Sequence, residues 1–267
     1  MQHLSVNDTE EKEKTESSGE ERNLLFTLSY DGSAFHGWQI QNNAVTVQEV
    51  FQNAVREIIG ECPDIKGCSR TDSGVHANMF CVSMKTTHRI PAERFAVAMN
   101  SHLPDTVAVK EVREVPLDFH ARYNALGKRY VYKVHNSAVR DPFLRDRALR
   151  YRWKLDEEKL HRASQSFVGS HDFTSFCTLD KREKGDFVRT IKEFSVTRQG
   201  DMVYFSVTGD GFLYNMVRIM VGTLLGINDG TFPEDSIPSM LNALDRNASG
   251  VTAPACGLYL DKVFYDL

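Results

Sequence analysis

The sequence predicts an α+β protein made of two ferredoxin-like β-α-β-β-α-β units, with mainly antiparallel sheets joined around a central cleft. Three observations lead there. Segments of period two and of helical spacing follow one another in that order between Leu24 and Val115. A second series with the same outline runs from Tyr130 to Phe264. One polar segment, Gly67 to Ala77 reading GCSRTDSGVHA, lies between hydrophobic runs, as a functional loop on a rigid scaffold does.

In chain order, residues 1 to 22 are expected to be a disordered or weakly ordered tail. Residues 1 to 21 hold seven acids against two lysines and few apolar side chains, too little to offset the entropy of ordering. Leu24 to Tyr30 alternates as a strand, Asp31-Gly32-Ser33 is a turn, and Phe35-His36-Gly37-Trp38-Gln39 carries more aromatic mass than a loop needs. Thr46 to Gly60 is the clearest helix: Thr46 caps it, Glu49 stands where a capping box needs it, and Val47, Val50, Phe51, Ala54, Val55, Ile58 and Ile59 repeat at helical spacing. Gly60 ends it. Asp64 to Cys68 reads as a short strand into the polar loop and Asn78 to Thr86 as the strand out of it. A helix from Pro91 to near Pro104 and a strand from Thr106 to Val115 close the first unit.

In the second unit Tyr130, Tyr132 and Val134 share one face of a strand. A helix follows from Asp156, with Leu160, Ala163 and Phe167 inward and Gly169 as its stop; Thr190 to Arg198 and Met202 to Thr208 then form a hairpin. Phe212 to Leu225 reads as a strongly apolar helix, Ile237 to Leu244 as a smaller one, and Gly257 to Phe264 as the last strand. The break falls near residues 116 to 125. The expected domains are therefore 23–120, which carries the loop, and 121–267, which completes the cleft.

Composition narrows the function. The 267 residues are 41% hydrophobic and 25% charged, with no run near the roughly 18 apolar residues of a membrane span. The opening segment has no apolar signal-peptide core, so a cytoplasmic protein is expected. Five cysteines without close-spaced pairs speak against a disulfide scaffold and a structural zinc site. No Walker loop, GxGxxG or HExxH occurs, which leaves the chemistry to side chains. The formal charge of -4 is concentrated in the tail, and the rest of the chain is +1. Its basic clusters, Lys128-Arg129 and the interval with Arg140, Arg145, Arg147, Arg150 and Arg152, permit an RNA surface.

Asp72 is the leading candidate for chemistry, although Thr71-Asp72-Ser73-Gly74 also has the composition of an ordinary turn. Arg218 lies in a segment apolar nearly all round. It either extends its head to solvent or pairs with Asp72 across the cleft, which would keep the carboxylate ionised and lower its pKa. Tyr130 or Tyr132 has the ring to stack on a planar ligand, Arg70 can meet a phosphate or fill the place of an extruded nucleotide, and Leu258 or Leu260 can floor a pocket. His76 reads as loop packing. Ser170-His171-Asp172 is too local to be a triad and reads as turn chemistry anchored by Phe173 and Phe176.

These residues resemble the tRNA pseudouridine synthase A family. The likeness begins at Tyr30-Asp31-Gly32, Phe35 and Gly37-Trp38-Gln39, passes through Arg70-Thr71-Asp72-Ser73-Gly74-Val75-His76-Ala77 and Leu103-Pro104, and resumes at Asp118-Phe119-His120-Ala121-Arg122. It continues at Lys128-Arg129-Tyr130-Val131-Tyr132, His171-Asp172-Phe173 and Asn215-Met216-Val217-Arg218, and ends with Thr252-Ala253-Pro254 and Gly257-Leu258-Tyr259-Leu260. The resemblance implies a pseudouridine synthase fold and isomerisation of uridines at positions 38, 39 and 40 of the tRNA anticodon arm, without metal or organic cofactor. It also implies Asp72 as the catalytic carboxylate, Arg218 as its basic partner, Tyr130 as the ring on the target uracil and Arg70 as the residue assisting base flipping. The expected partners are tRNA and a second copy of the chain, with no membrane or DNA. Arg145 and Arg147 are expected to meet RNA phosphates. Competing readings are a related synthase with another RNA target, a hydrolase using Asp72, and a tRNA-binding protein without catalysis.

Overall fold

The computed structural model describes residues 19–178 and 185–267. Most of the expected acidic tail, residues 1–18, lies outside the described residues, and the first strand already begins at Arg22. The first half comprises β1 (Arg22–Tyr30), α1 (Val47–Ile59), β2 (Ile65–Gly67), β3 (His76–Thr86), α2 (Ala92–His102) and β4 (Val107–Val115). The second comprises β5 (Gly127–Asn136), β6 (Leu149–Tyr151), α3 (Glu157–Ser164), β7 (Gly169–Asp172), β8 (Val188–Gln199), β9 (Met202–Gly209), α4 (Met216–Asn228), α5 (Ile237–Ala243) and β10 (Leu258–Phe264).

All of these strands form one open 10-stranded sheet in the order β4-β1-β3-β10-β5-β9-β8-β7, with β2 added to β3 and β6 to β5. Each half repeats one arrangement: β4-β1-β3-β2 in the first and β10-β5-β9-β8 in the second. The expected fold class therefore holds. The halves meet because β3 is longer than its partners. Its far end pairs with β2 (Ile65 opposite Met84, Gly67 opposite Val82), while its first residues run parallel to β10 (His76 opposite Tyr259, Ala77 opposite Leu260). The polar loop between β2 and β3 consequently lands on the seam.

Helix α1 forms where its spacing predicts. The Thr46 hydroxyl accepts the Glu49 N–H at 3.3 Å, and Gly60 closes the other end in a left-handed conformation. Its apolar stripe buries Val47, Phe51, Ala54 and Val55. Phe26 of β1 meets Phe51 of α1 and Phe95 of α2 edge-on, with both ring separations 5.3 Å. Burying each such ring stabilises the fold by about 1.5–3 kcal/mol. In the second half Phe167, Phe173 and Phe176 are fully buried, and Asp172 accepts from the Thr174 N–H and hydroxyl at 2.8 and 2.6 Å. The local reading of that segment is thus correct.

Three helix boundaries differ from expectation, one being the end of the apolar helix, which runs past Leu225 to Asn228. The helix from Asp156 stops at Ser164 and tightens into a 3-10 turn over Gln165–Phe167, which still buries Phe167, and Gly169 opens β7. The apolar helix begins at Met216, not Phe212, because Asn215 is left-handed at φ +62°. Apolarity does not distinguish a helical turn from an irregular wall, and Phe212, Leu213 and Tyr214 form such a wall. Strands β6 and β7, of three and four residues, are too short to show a period. Among the described residues no helix is long and apolar enough to cross a membrane.

Candidate active site

The polar loop is held from beneath by the aromatic segment at positions 35–38. The Trp38 N–H donates to the Thr71 carbonyl at 3.1 Å, the Gly74 N–H donates to the Phe35 carbonyl at 3.2 Å, and the Tyr30 and Thr71 hydroxyls bond at 2.9 Å. The Val75 N–H donates to the Asp72 carbonyl at 3.1 Å, closing a turn whose third residue, Gly74, has φ +77°. Gly37 must be glycine: its φ is +85°, and a Cβ there would lie 2.3 Å from the Thr71 carbonyl oxygen. Asp72 is thus a turn residue, and the turn is a built platform.

His76 ties the platform to the seam. Its Nδ1 accepts the Gly32 N–H at 3.1 Å, which leaves Nε2 to donate to the carbonyls of Asp146 (2.9 Å) and Cys256 (3.2 Å). Its ring stacks on Tyr259 at 4.5 Å. Burial holds its pKa below the ordinary value, against the pull of Asp31. The packing role expected for His76 is what the structure shows.

Across the seam, Arg218 of α4 places Nη1 3.3 Å from Asp72 Oδ2. Nη1 also donates to Asn215 Oδ1 at 2.7 Å, and Nε donates to the Ala253 carbonyl at 2.7 Å. The left-handed turn at Asn215 aims its amide at this guanidinium. Solvent reaches 17% of the Arg218 side chain and 26% of Asp72, so Arg218 does not extend to water. One expectation is overturned: the Asp72 pKa is raised, not lowered. Burial penalises the anion by more than Arg218 restores.

Around the pair opens a cleft of about 820 Å³, lined from the first half by Ser69, Arg70 and Asp72 and from the second by Arg122, Lys128, Tyr130, Phe212, Asn215 and Leu258. Tyr130 is buried, its hydroxyl 3.3 Å from that of Ser69 and its ring edge-on to Phe212 at 5.0 Å; burial raises its pKa. Tyr132 points its hydroxyl at the Pro254 carbonyl, 2.7 Å away, and does not line the cleft. Arg70 is exposed at the cleft wall, and its guanidinium has no hydrogen-bond or ion-pair partner among the described residues.

Arg145 and Arg147 are not brought to this cleft. Arg145 pairs with Asp146 at 3.0 Å and Arg147 with Asp31 at 2.9 Å. The sequence reading gave no site role to Lys128, whose pKa burial lowers, or to Asn215, Arg122 and Phe212. The three-residue step from Asn215 to Arg218 was the available signal, since it sets a polar residue at the start of the helix within reach of the third helical position.

Residues 27–124 and 163–266 match the family model described as tRNA pseudouridine synthase. The chain belongs to the tRNA pseudouridine synthase family. The matched spans contain Arg70, Asp72, Arg218 and Leu258, while Tyr130, Arg145 and Arg147 fall between them. Similar proteins include the tRNA pseudouridine synthase A of Acetivibrio thermocellus, 46% identical over 244 residues, and that of Ruminiclostridium cellulolyticum, 42% identical over 245. That of Clostridium acetobutylicum is 43% identical over 244 residues. Each comparison covers 91% of this synthase and 100% of the relative.

Proposed function

We propose that this synthase isomerises uridine to pseudouridine at positions 38, 39 and 40 of the tRNA anticodon arm, with Asp72 as the catalytic carboxylate. The observation that supports it is the Asp72–Arg218 contact of 3.3 Å inside a cleft that also holds the Tyr130 ring. Isomerisation breaks the bond from uracil N1 to ribose C1′, turns the base, joins C5 to C1′, and moves the C5 proton off as N1 gains one. Asp72 opens the glycosidic bond, as nucleophile at C1′, as base at ribose C2′ or by adding to uracil C6. A partly desolvated carboxylate is more basic than one in water, and the guanidinium keeps it aimed. Tyr130 stacks on the detached uracil and Leu258 supplies an apolar floor.

The base must leave its stack, at a cost of a few kcal/mol. Arg70, free at the wall, takes the vacated place, and Lys128, Arg122 and Arg189 in the cleft lining meet phosphates. Arg145 and Arg147, already ion-paired, contribute less to RNA binding. The domains 23–120 and 121–267 each supply one wall. The working form is a cytoplasmic homodimer with one tRNA touching both copies, and exposed Val139 and Phe143 between β5 and β6 and Trp153 just after β6 support the dimer.

The decisive variant is Asp72→Asn. Tightly bound tRNA with no pseudouridine, read by mass spectrometry after chemical derivatisation, is the expected result; product at near wild-type rate would remove Asp72 from this role.

A further inference from the structure

A second, smaller pocket of about 340 Å³ adjoins the cleft at Arg70. The two share Gln39, Ser69, Arg70 and Arg122 in their walls, so a chain leaving one enters the other directly. The charged groups lining the smaller pocket are Lys66, Arg70 and Arg122, all basic, whereas the cleft itself is lined by Asp72 and Asp186 as well. Lys66 is ion-paired with Asp64, which stands outside the lining.

The pocket also has an aromatic wall. Tyr123 is 77% exposed, although a tyrosine gains by burying its ring. It is nevertheless held in place. His120 Nδ1 accepts the Arg122 and Tyr123 N–H groups at 3.0 and 3.4 Å, the Asn124 side chain accepts the His120 N–H at 2.7 Å, and the His120 and Tyr123 rings lie 4.3 Å apart. Arg122 sits 5.9 Å from the centre of the Tyr123 ring. An open ring braced by an imidazole, with Arg122 beside it and Arg70 in the same pocket wall, matches the stacking-plus-phosphate chemistry of single-stranded nucleic acid.

We propose that this pocket holds the RNA nucleotide next to the target uridine, its base stacked on Tyr123 and its phosphate met by Arg122 and Arg70. The proposal rests on the tRNA substrate assigned above and adds a site for a neighbour of the reacting base. A flipped uridine drags the backbone with it, and a stacked neighbour holds that distortion open. Tyr123 contributes through binding and does not touch the reacting atoms.

The test uses an anticodon stem-loop transcript carrying 2-aminopurine immediately 5′ or 3′ of the target uridine. Wild type and Tyr123→Phe are expected to quench the probe at one of the two positions. Tyr123→Ala loses the quenching and binds about tenfold more weakly. Arg122→Gln lowers the salt slope of binding by about one. Unchanged affinity and quenching in Tyr123→Ala overturn the proposal, as does a change in sedimentation with RNA affinity intact, which would make Tyr123 a contact between copies. Turnover by wild type with undiminished binding by Tyr123→Ala overturns this subsite alone. Quenching and the tenfold loss without wild-type turnover uphold the subsite and overturn the reaction assigned above.

Discussion

At Asp72 and Arg218, stability and the proposed chemistry pull in opposite directions. Because burial raises the folded pKa of Asp72 above its ordinary value, its contribution is most favourable at acid pH and is lost as pH rises through the folded pKa. The ionised carboxylate is therefore a cost at neutral pH. Asp72→Asn should melt at or above the wild-type temperature at pH 7.5 while forming no product; calorimetry beside the product assay checks both. Arg218→Ala behaves differently, since it strands the Ala253 carbonyl, the Asn215 amide and the carboxylate together. A loss of about 2 kcal/mol and a melting point lower by about 4–8 °C are expected, and an unchanged melting point would show that those bonds do not hold the seam. His76 has the opposite sign to Asp72. Its pKa is depressed by burial, so the stability it contributes is complete above the ordinary histidine value and is lost as pH falls through the folded one. His76→Gln should flatten the decline in urea midpoint on acidification; an equally steep decline would assign it to another group. The pairing of Asp72 with Arg218 was legible because a guanidinium in a segment apolar nearly all round needs an acid. The direction of the carboxylate shift was not, because it depends on how far water is excluded.

At the scale of elements, the loop and its clamp act together. Gly37→Ala and Gly60→Ala both place a side chain at positive φ, but a Cβ at Gly60 meets open space and one at Gly37 meets the Thr71 carbonyl. Gly60→Ala should cost about 1 kcal/mol and leave the catalytic rate alone, whereas Gly37→Ala should cost more and lower the rate by displacing Asp72. Equal rates in the two variants would separate the clamp from the chemistry. Helix α1 was readable to within a residue because cap, stripe and terminal glycine agree. The start of α4 was not, because the left-handed Asn215 also bonds through its amide to the Thr178 hydroxyl, a tertiary contact. Lys128 was visible only as surface charge, since nothing in its neighbours announces that β5 turns it into the cleft.

Across the whole molecule, the repeated strand order was legible from pattern, but the merging of two sheets into one was not. It depends on β3 outrunning β2, a matter of a few residues at one end. The first rungs of β3, His76 and Ala77, are the ones β10 grips, and Asp72 stands four positions upstream of them. The strand ladder that joins the halves therefore also lies next to the Asp72 carboxylate, and it is only two residue pairs long. On gradual warming, turnover should fail before far-ultraviolet dichroism registers any loss of sheet, because a slight parting of the halves separates acid from guanidinium while both units stay folded.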